Sequence, residues 1–407
     1  MKIKKAKKTS LDFFNLLVLI FIIFLPTQLG KHFFFNFSYL SGVRIDYLAY
    51  VFYFTDIIVL TIMYLKRNVL FEFFKRKIVA FIFFLLALSI FFSFSPQVAL
   101  FRFWKILEVT SLFVIFRKTS IKGVFIYWGL FVSCCLELIT VSLQFINQHS
   151  IQGFFYFLGE RYFSSSMSGI AKIAINGEEY LRPYGTFSHP NSMAGFFLLV
   201  YSFILGSNLN KNHVLKNLII FISSLLIFIS FSKTAIFGYI LINIIFLFKE
   251  IKKSQCKLCV VSRTIVFSLA GLFFIFGQND PLSLFKRIIL FENSLNIISK
   301  YPITGVGLGN YLIAQNLLEN KIFSYPPQPV HNVFMLALCE IGIFLWSAIV
   351  YLFYKVFYKH IKSTLFLLCF FAFFITGFFD HYWLTLQQNL LQLGFVFGLI
   401  LNRRVVF

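Results

Sequence analysis

The run VFMLALCEIGIFLWSAIVYLFY, residues 333–354, carries a single charged residue, Glu340. About 20 predominantly apolar residues carry a helix across a bilayer, and this stretch has that length with no polar face. Working outward, similar runs lie at about 11–29, 47–65, 78–95, 100–116, 123–146, 190–206, 217–231, 234–248, 264–277, 363–378 and 385–401. The whole chain of 407 residues is 59% apolar and 21% aromatic, with 61 Phe, only 13% charged residues and a mean hydropathy of +0.83. That composition excludes a soluble globular enzyme, a disulfide-stapled secreted domain and a disordered chain. The expected fold is an all-α integral membrane protein, one polytopic domain over 1–407 with about 12 transmembrane helices.

Net charge is +22, from 37 Lys and Arg against 15 Asp and Glu. The cations fall in short clusters between apolar runs, the pattern of membrane flanks and not of a nucleic-acid interface. Of the 37, 25 lie before residue 11 or within 66–77, 117–122, 211–216, 249–263, 355–362 and 403–404; the other 12 lie on the opposite side. The positive-inside rule then puts both termini in the cytoplasm. Two long loops, about 147–189 and 278–332, face outward and are expected to carry short interfacial helices. The basic N-terminus has no small-x-small cleavage site after its apolar stretch, so it reads as a retained first helix. Cys256 and Cys259 form a lone CxxC in a Lys-rich loop, and free thiols are the expected state of all six cysteines.

Polar residues at span ends are costly to place in so apolar a chain, which makes them the functional candidates. Arg182-Pro-Tyr-Gly-Thr-Phe-Ser-His-Pro-Asn191 sets a guanidinium, an imidazole (His189) and a carboxamide beside a helix start that favours anions. The plain alternative for Asn191 is a helix cap. His331 stands just ahead of the 333–354 run, beside Asn332, and an imidazole can take a proton from a hydroxyl. Its plain alternative is a cap for the following helix. Lys233, after Ser232, interrupts two apolar runs on the outer side and calls for an anionic partner. Asp380-His381-Tyr382-Trp383 forms an outer turn in which Asp380 can orient a histidine. The glycine run Tyr301-Pro-Ile-Thr-Gly-Val-Gly-Leu-Gly-Asn-Tyr311 reads as a tight turn between two short helices and not as a nucleotide loop. Glu108, Glu137, Asp56 and Glu340 read as bundle-facing structural partners. No metal-ligand spacing occurs on any helix, so no metal and no cofactor is expected.

Four of these segments together resemble the O-antigen ligase and polymerase superfamily. Arg182 to Asn191 is similar to its R-x-x-G-T-F-x-H-P-N element, and 301–310 to its P-x-x-G-x-G-x-G element. Val330-His331-Asn332 with Glu340-Ile-Gly342 resembles P-H-N followed by E-x-G. Asp380 to Gln388 matches the superfamily's endings. The resemblance covers roughly 180–400. It implies a metal-independent glycosyltransferase of the GT-C type, working in the cytoplasmic membrane in cell-envelope polysaccharide or lipopolysaccharide assembly. Such an enzyme moves a glycan from undecaprenyl-pyrophosphate to an acceptor hydroxyl on a glycan, lipid or protein at the outer face. His331 would be the general base, Arg182 and Lys233 would hold the pyrophosphate, and His189, Asn191, Asn332, Asp380 and His381 would support them. Val330 replaces the family's Pro, and Lys233 replaces an Arg whose planar fork suits phosphate better.

Chemistry independent of the resemblance agrees. Displacing a lipid pyrophosphate from an anomeric carbon needs cations at the leaving group and a base at the incoming hydroxyl. Ligase, polymerase and protein glycosyltransferase share these parts. A flippase or transporter would instead show inverted repeats and midplane charges, and no repeat is evident.

Overall fold

A computed structural model of the chain describes residues 2–167, 169–175, 177–207, 213–250, positions 261, 265–266 and 268–272, then 282–318, 327–402 and 405–406. Helices dominate. They are α1 (Lys2–Phe24), α2 (Phe54–Leu65), α3 (Arg67–Phe74), α4 (Lys77–Phe91), α5 (Pro96–Lys118), α6 (Gly123–Asn147), α7 (Pro190–Gly206), α8 (His213–Ile229) and α9 (Lys233–Glu250). After a gap in the description come α10 (Leu282–Lys300), α11 (Tyr311–Leu318), α12 (Val333–Phe357), α13 (Thr364–Phe379) and α14 (Gln387–Ile400).

Every apolar run of the sequence carries a helix; in 264–277 the described residues 265–266 and 268–272 are helical, and the rest of that run, with Cys256 and Cys259, lies outside the described residues. By length and composition two helices can cross a membrane, Gly123–Asn147 and Val333–His360, while six other apolar helices have 10–17 residues. Twelve full-length spans are therefore not what the described helices display.

The first correction concerns the run 47–65. It turns helical only at Phe54, because Tyr50–Tyr53 pairs antiparallel with Gly30–Phe33. Aromatic and β-branched residues in Tyr-Val-Phe-Tyr suit a strand, and the pairing gives an otherwise polar-poor loop its backbone partners. A second antiparallel pair, Lys172–Ile175 with Glu178–Leu181, stiffens the loop before α7. Neither ribbon was expected. In the long loop before α12, moreover, α10 has 19 residues, more than a short interfacial helix.

A second correction concerns two cations. Lys105 and Arg102 sit on α5 and not in a loop, so they do not belong to a loop charge count. Lys105 is buried, its Nζ 2.8 Å from Asp56 Oδ2 and 3.1 Å from Glu108 Oε2. Gln387 Nε2 donates to Asp56 Oδ1, and Trp104 Nε1 donates to Glu108 at 3.0 Å. A charge in an apolar bundle persists when paired and hydrogen-bonded in this way. The expectation that Asp56, Glu108 and Glu137 act as structural partners agrees with these contacts and with those below.

The main core is a cluster of Phe, Leu, Ile and Val from α1, α2, α5 to α9 and α12 to α14. α5 lies along α14, α7 against α8 and α13, and α1 against α6. A Cβ on Gly394 would lie 2.5 Å from the Val109 carbonyl oxygen, so glycine there lets α14 approach the α5 backbone.

The glycine run docks into a break in α12. Gly342 has φ 68° and ψ 173°, a conformation open essentially to glycine alone, and it interrupts the helical hydrogen bonds. The carbonyls freed at Cys339 and Glu340 accept from Val306 N and Gly307 N, each at 2.9 Å, while Ile343 N donates to Pro302 O at 2.9 Å. The reading of this run as a tight turn between two short helices holds in part: 301–310 joins α10 to the short α11, but α10 has 19 residues. Its second job, satisfying the broken helix, is new.

Connections 25–53, 92–95, 148–189, 230–232, 301–310, 327–332 and 380–386 meet at one end of the bundle. Thr186 Oγ1 donates to Pro26 O, Arg182 to Ser230 O, Phe94 N to Val306 O and Arg102 to Thr385 O. At the other end Ile121–Lys122 pairs with Val405–Val406.

Candidate active site

Gln144 on α6 holds the turn that carries Arg182. Its Oε1 accepts from Tyr184 N at 3.0 Å and Gly185 N at 2.8 Å, and its Nε2 donates to Gly185 O at 2.9 Å. About two turns earlier, Glu137 accepts from Thr186 N at 3.1 Å and from Thr186 Oγ1. These contacts fix the backbone just before α7. His189 then caps α7, its Nδ1 accepting from Asn191 N at 3.1 Å, with Pro190 in the first helical position.

That cap overturns the plain reading of Asn191. With His189 doing the capping, the Asn191 carboxamide is free to bridge. Its Oδ1 accepts from Arg182 Nη2 at 2.6 Å and its Nδ2 donates to Asp380 Oδ2 at 3.1 Å. The plain reading of His331 fails in the same way. Asn332 caps α12, its Oδ1 accepting from Phe334 N at 2.9 Å and Met335 N at 3.0 Å. His331 stands one residue outside the helix, its Nδ1 3.5 Å from Asp380 Oδ1.

Asp380 is the hub of the group. It ends α13, accepts from the His381 amide at 2.8 Å, and has His381 Nε2 3.9 Å from Oδ1. The His331 and His381 rings lie 5.2 Å apart. His381 Nδ1 meets Thr385 Oγ1 at 2.9 Å, and the Tyr47 ring stands edge-on to the His381 imidazole at 5.6 Å. Arg182 completes the line, its Nε donating to Ser230 O at 2.9 Å. The structure thus brings together Arg182, His189, Asn191, His331, Asp380 and His381, residues from three segments of the chain. Lys233 opens α9 three residues beyond Ser230, half-buried, and no ion pair joins it to the group among the described residues.

Electrostatics separate the members. Burial would raise the Asp380 carboxyl, but the neighbouring His331, with His381 and His189 behind it, holds it well below the usual carboxylate range. Burial, then the Arg182 charge, pushes His189 down to about 3. Burial likewise pushes His381 down to about 3, against the pull of Asp380 and with help from His331, Arg287 and Arg102. Both imidazoles are neutral near pH 7. Burial lowers Arg182 to about 10, which leaves it charged.

Two participants were missed in the sequence. Arg287 on α10 acts through its charge on both Arg182 and His381. Arg102 donates through Nη2 to Tyr47 O at 3.0 Å. Neither sits in a polar cluster; the only available signal was a cation within or beside an otherwise apolar stretch. Among the described residues, one group has the donor types and spacing to hold a metal ion: His331, Asp380 and His381, with ligand atoms within 4.8 Å of one another. Both Asp380 oxygens already accept hydrogen bonds, and two guanidinium charges act on the group.

Residues 218–350 match the family model of the O-antigen ligase. The matched stretch, about a third of the chain, spans Lys233, Arg287, the glycine run, His331 and Gly342 and is similar to the O-antigen ligase family. No curated protein matches the chain.

Proposed function

We propose that an O-antigen ligase segment built around this site makes the chain a glycosyltransferase, one that moves a glycan from a polyprenyl pyrophosphate to an acceptor hydroxyl. One observation carries the reading: the continuous line from His331 through Asp380 and Asn191 to Arg182, which couples a base to a cation. His331 Nε2 takes the acceptor proton as the acceptor oxygen bonds to the anomeric carbon. The bond from that carbon to the pyrophosphate oxygen breaks, and the lipid pyrophosphate leaves toward Arg182. Asp380 faces Nδ1, fixing the ring and stabilising the imidazolium that forms. Arg287 joins Arg182 at the leaving group, with Lys233 at the rim. His189, Asn332 and His381 position the turn, the α12 start and Asp380. No metal takes part in this scheme, because cations already occupy the leaving-group side.

The charge asymmetry of the loops supports an arrangement with both termini in the cytoplasm and the site on the outer face of the cytoplasmic membrane. An undecaprenyl-pyrophosphate glycan is the donor, and the acceptor is a glycan, lipid or protein. The deciding assay uses purified protein with carrier-linked glycan. His331→Ala loses on the order of a hundredfold in rate, the usual size of a general-base contribution, and chelators change nothing. Near-normal turnover by His331→Asn rejects the base. In cells, deletion that leaves full-length carrier-linked chains indicates a ligase; deletion that leaves single repeat units indicates a polymerase.

A further inference from the structure

Beside the His331–Asp380 group lies a cavity of about 570 Å³, in the size range of small-ligand pockets. It is bounded by the first ribbon, α5, the 156–161 turn and the 385–390 segment. Thr385 and Tyr47, both in contact with His381, form part of its wall, and so does Ser188. Arg182 with Ser230 stands at the opposite end of the residue line. A displacement brings the nucleophile in across from the leaving group, so the side away from Arg182 is where an acceptor enters.

The lining has the chemistry for a sugar. Tyr47, Tyr53, Phe101 and Tyr156 supply aromatic faces. Gln28 and Gln388 line the same space, and the Nε2 of each is buried without a hydrogen-bond partner among the described residues. Such orphaned amides in a folded protein call for a missing acceptor. The charged side chains of the lining lean the same way: four cations, Arg44, Arg102, Lys105 and Arg161, against two carboxylates, Asp46 and Glu160. Lys105 pairs with Asp56 and Glu108, and Arg44 lies 3.3 Å from Asp46. Glu160 accepts hydrogen bonds from Gln144, Ile151 N and Gln152 N. Arg102 donates to the Tyr47 and Thr385 carbonyls and feels the Glu340 charge, and Arg161 donates to Ser188 O at 3.3 Å and lies over the Tyr184 ring. No carboxylate lies within ion-pair distance of either among the described residues.

We propose that this cavity is the acceptor subsite and that it selects a glycan bearing an anionic substituent, a carboxylate or a phosphate on a pyranose ring. Arg161 and Arg102 bind the anion, the aromatic faces stack on the ring, and the two amides take ring and hydroxyl oxygens. This rests on the glycosyl-transfer reading above.

The test uses the full chain in lipid nanodiscs and calorimetric titration with three disaccharides: one ending in glucuronic acid, one in glucose 6-phosphate, one in glucose. Farnesyl pyrophosphate reports the donor side. The anionic sugars bind at least about tenfold tighter than the neutral one, as charge-assisted contacts imply; the tighter of the two identifies the substituent. Arg161→Gln erases most of that margin and leaves farnesyl pyrophosphate affinity unchanged, while Tyr156→Ala weakens all three sugars. Equal binding of charged and neutral sugars, or an Arg161→Gln variant with its margin intact, overturns the proposal. So does a loss of farnesyl pyrophosphate affinity in Arg161→Gln, which would make the cavity part of the donor site. If instead Arg182→Ala leaves farnesyl pyrophosphate binding intact, the transfer reading fails, and the sugar titrations still stand by themselves.

Discussion

His331 reaches Asp380 because its neighbour Asn332 takes over the capping of α12, and Asn191 reaches Asp380 because His189 caps α7. In both places the cap and the candidate functional group are a His and an Asn, adjacent or nearly adjacent in the chain. Sequence alone therefore recognised the clusters but assigned the Asn191 cap to the wrong residue. Asp380 carries a charge inside a ring of imidazoles, so Asp380→Asn should keep the contact to Asn191, remove the field at His331 and lower turnover about ten- to hundredfold. Unchanged kcat would take the carboxylate out of the mechanism. The capping imidazole also links stability to pH. His189 ordinarily titrates near 6.5 and in the fold near 3, so it is neutral when folded and binds a proton on unfolding below 6.5. Its contribution is complete above about pH 6.5 and is lost as pH falls toward 3; His381 has the same sign. The thermal midpoint should drop between pH 7 and pH 4. His189→Asn keeps a capping oxygen without the titration and should flatten that slope; parallel slopes in variant and wild type would show the proton goes elsewhere.

Helices were readable in the sequence because apolar runs announce themselves, and the ribbons were not, because Tyr50–Tyr53 looks like the start of one such run. The break in α12 was hidden for a related reason. Glu340-Ile-Gly342 interrupts hydrophobicity only slightly, and what makes it a break is a backbone conformation plus a loop 30 to 40 residues upstream that accepts the freed carbonyls' demand. An alanine at 342 must hold a glycine-only conformation, costing about 1–3 kcal/mol, and its Cβ would also meet the Ile303 carbonyl. Gly342→Ala should lower the midpoint and displace the start of α12 and with it the adjoining His331, so activity falls with stability. A variant with wild-type midpoint would mean that the glycine run is a passive linker. Arg102 and Arg287 escaped detection because a cation beside an apolar helix has the same sequence signature whether it faces a site, a carbonyl or lipid headgroups.

For the molecule as a whole, the loop cations argue that residues near 160 lie outside the cytoplasm, and a reporter fused after residue 160 should respond accordingly. A cytoplasmic signal would put the site on the wrong side for an acceptor outside the cell. The bundle is also closed by its ends: α14 packs along α5, with Gly394 against the Val109 backbone, and Gln387 donates to Asp56 in the buried cluster with Lys105. That geometry has a consequence in time. Some 280 residues separate Lys105 from Gln387, and at about 5–20 residues per second a ribosome needs roughly 14–56 s to add them. Throughout that interval the face of α5 that meets α14 lies uncovered and the Asp56 carboxylate lacks the Gln387 donor. Every newly made copy passes through this half-sealed state. A message cut before codon 387 would strand the protein in it permanently, giving membrane quality-control proteases a substrate that never matures.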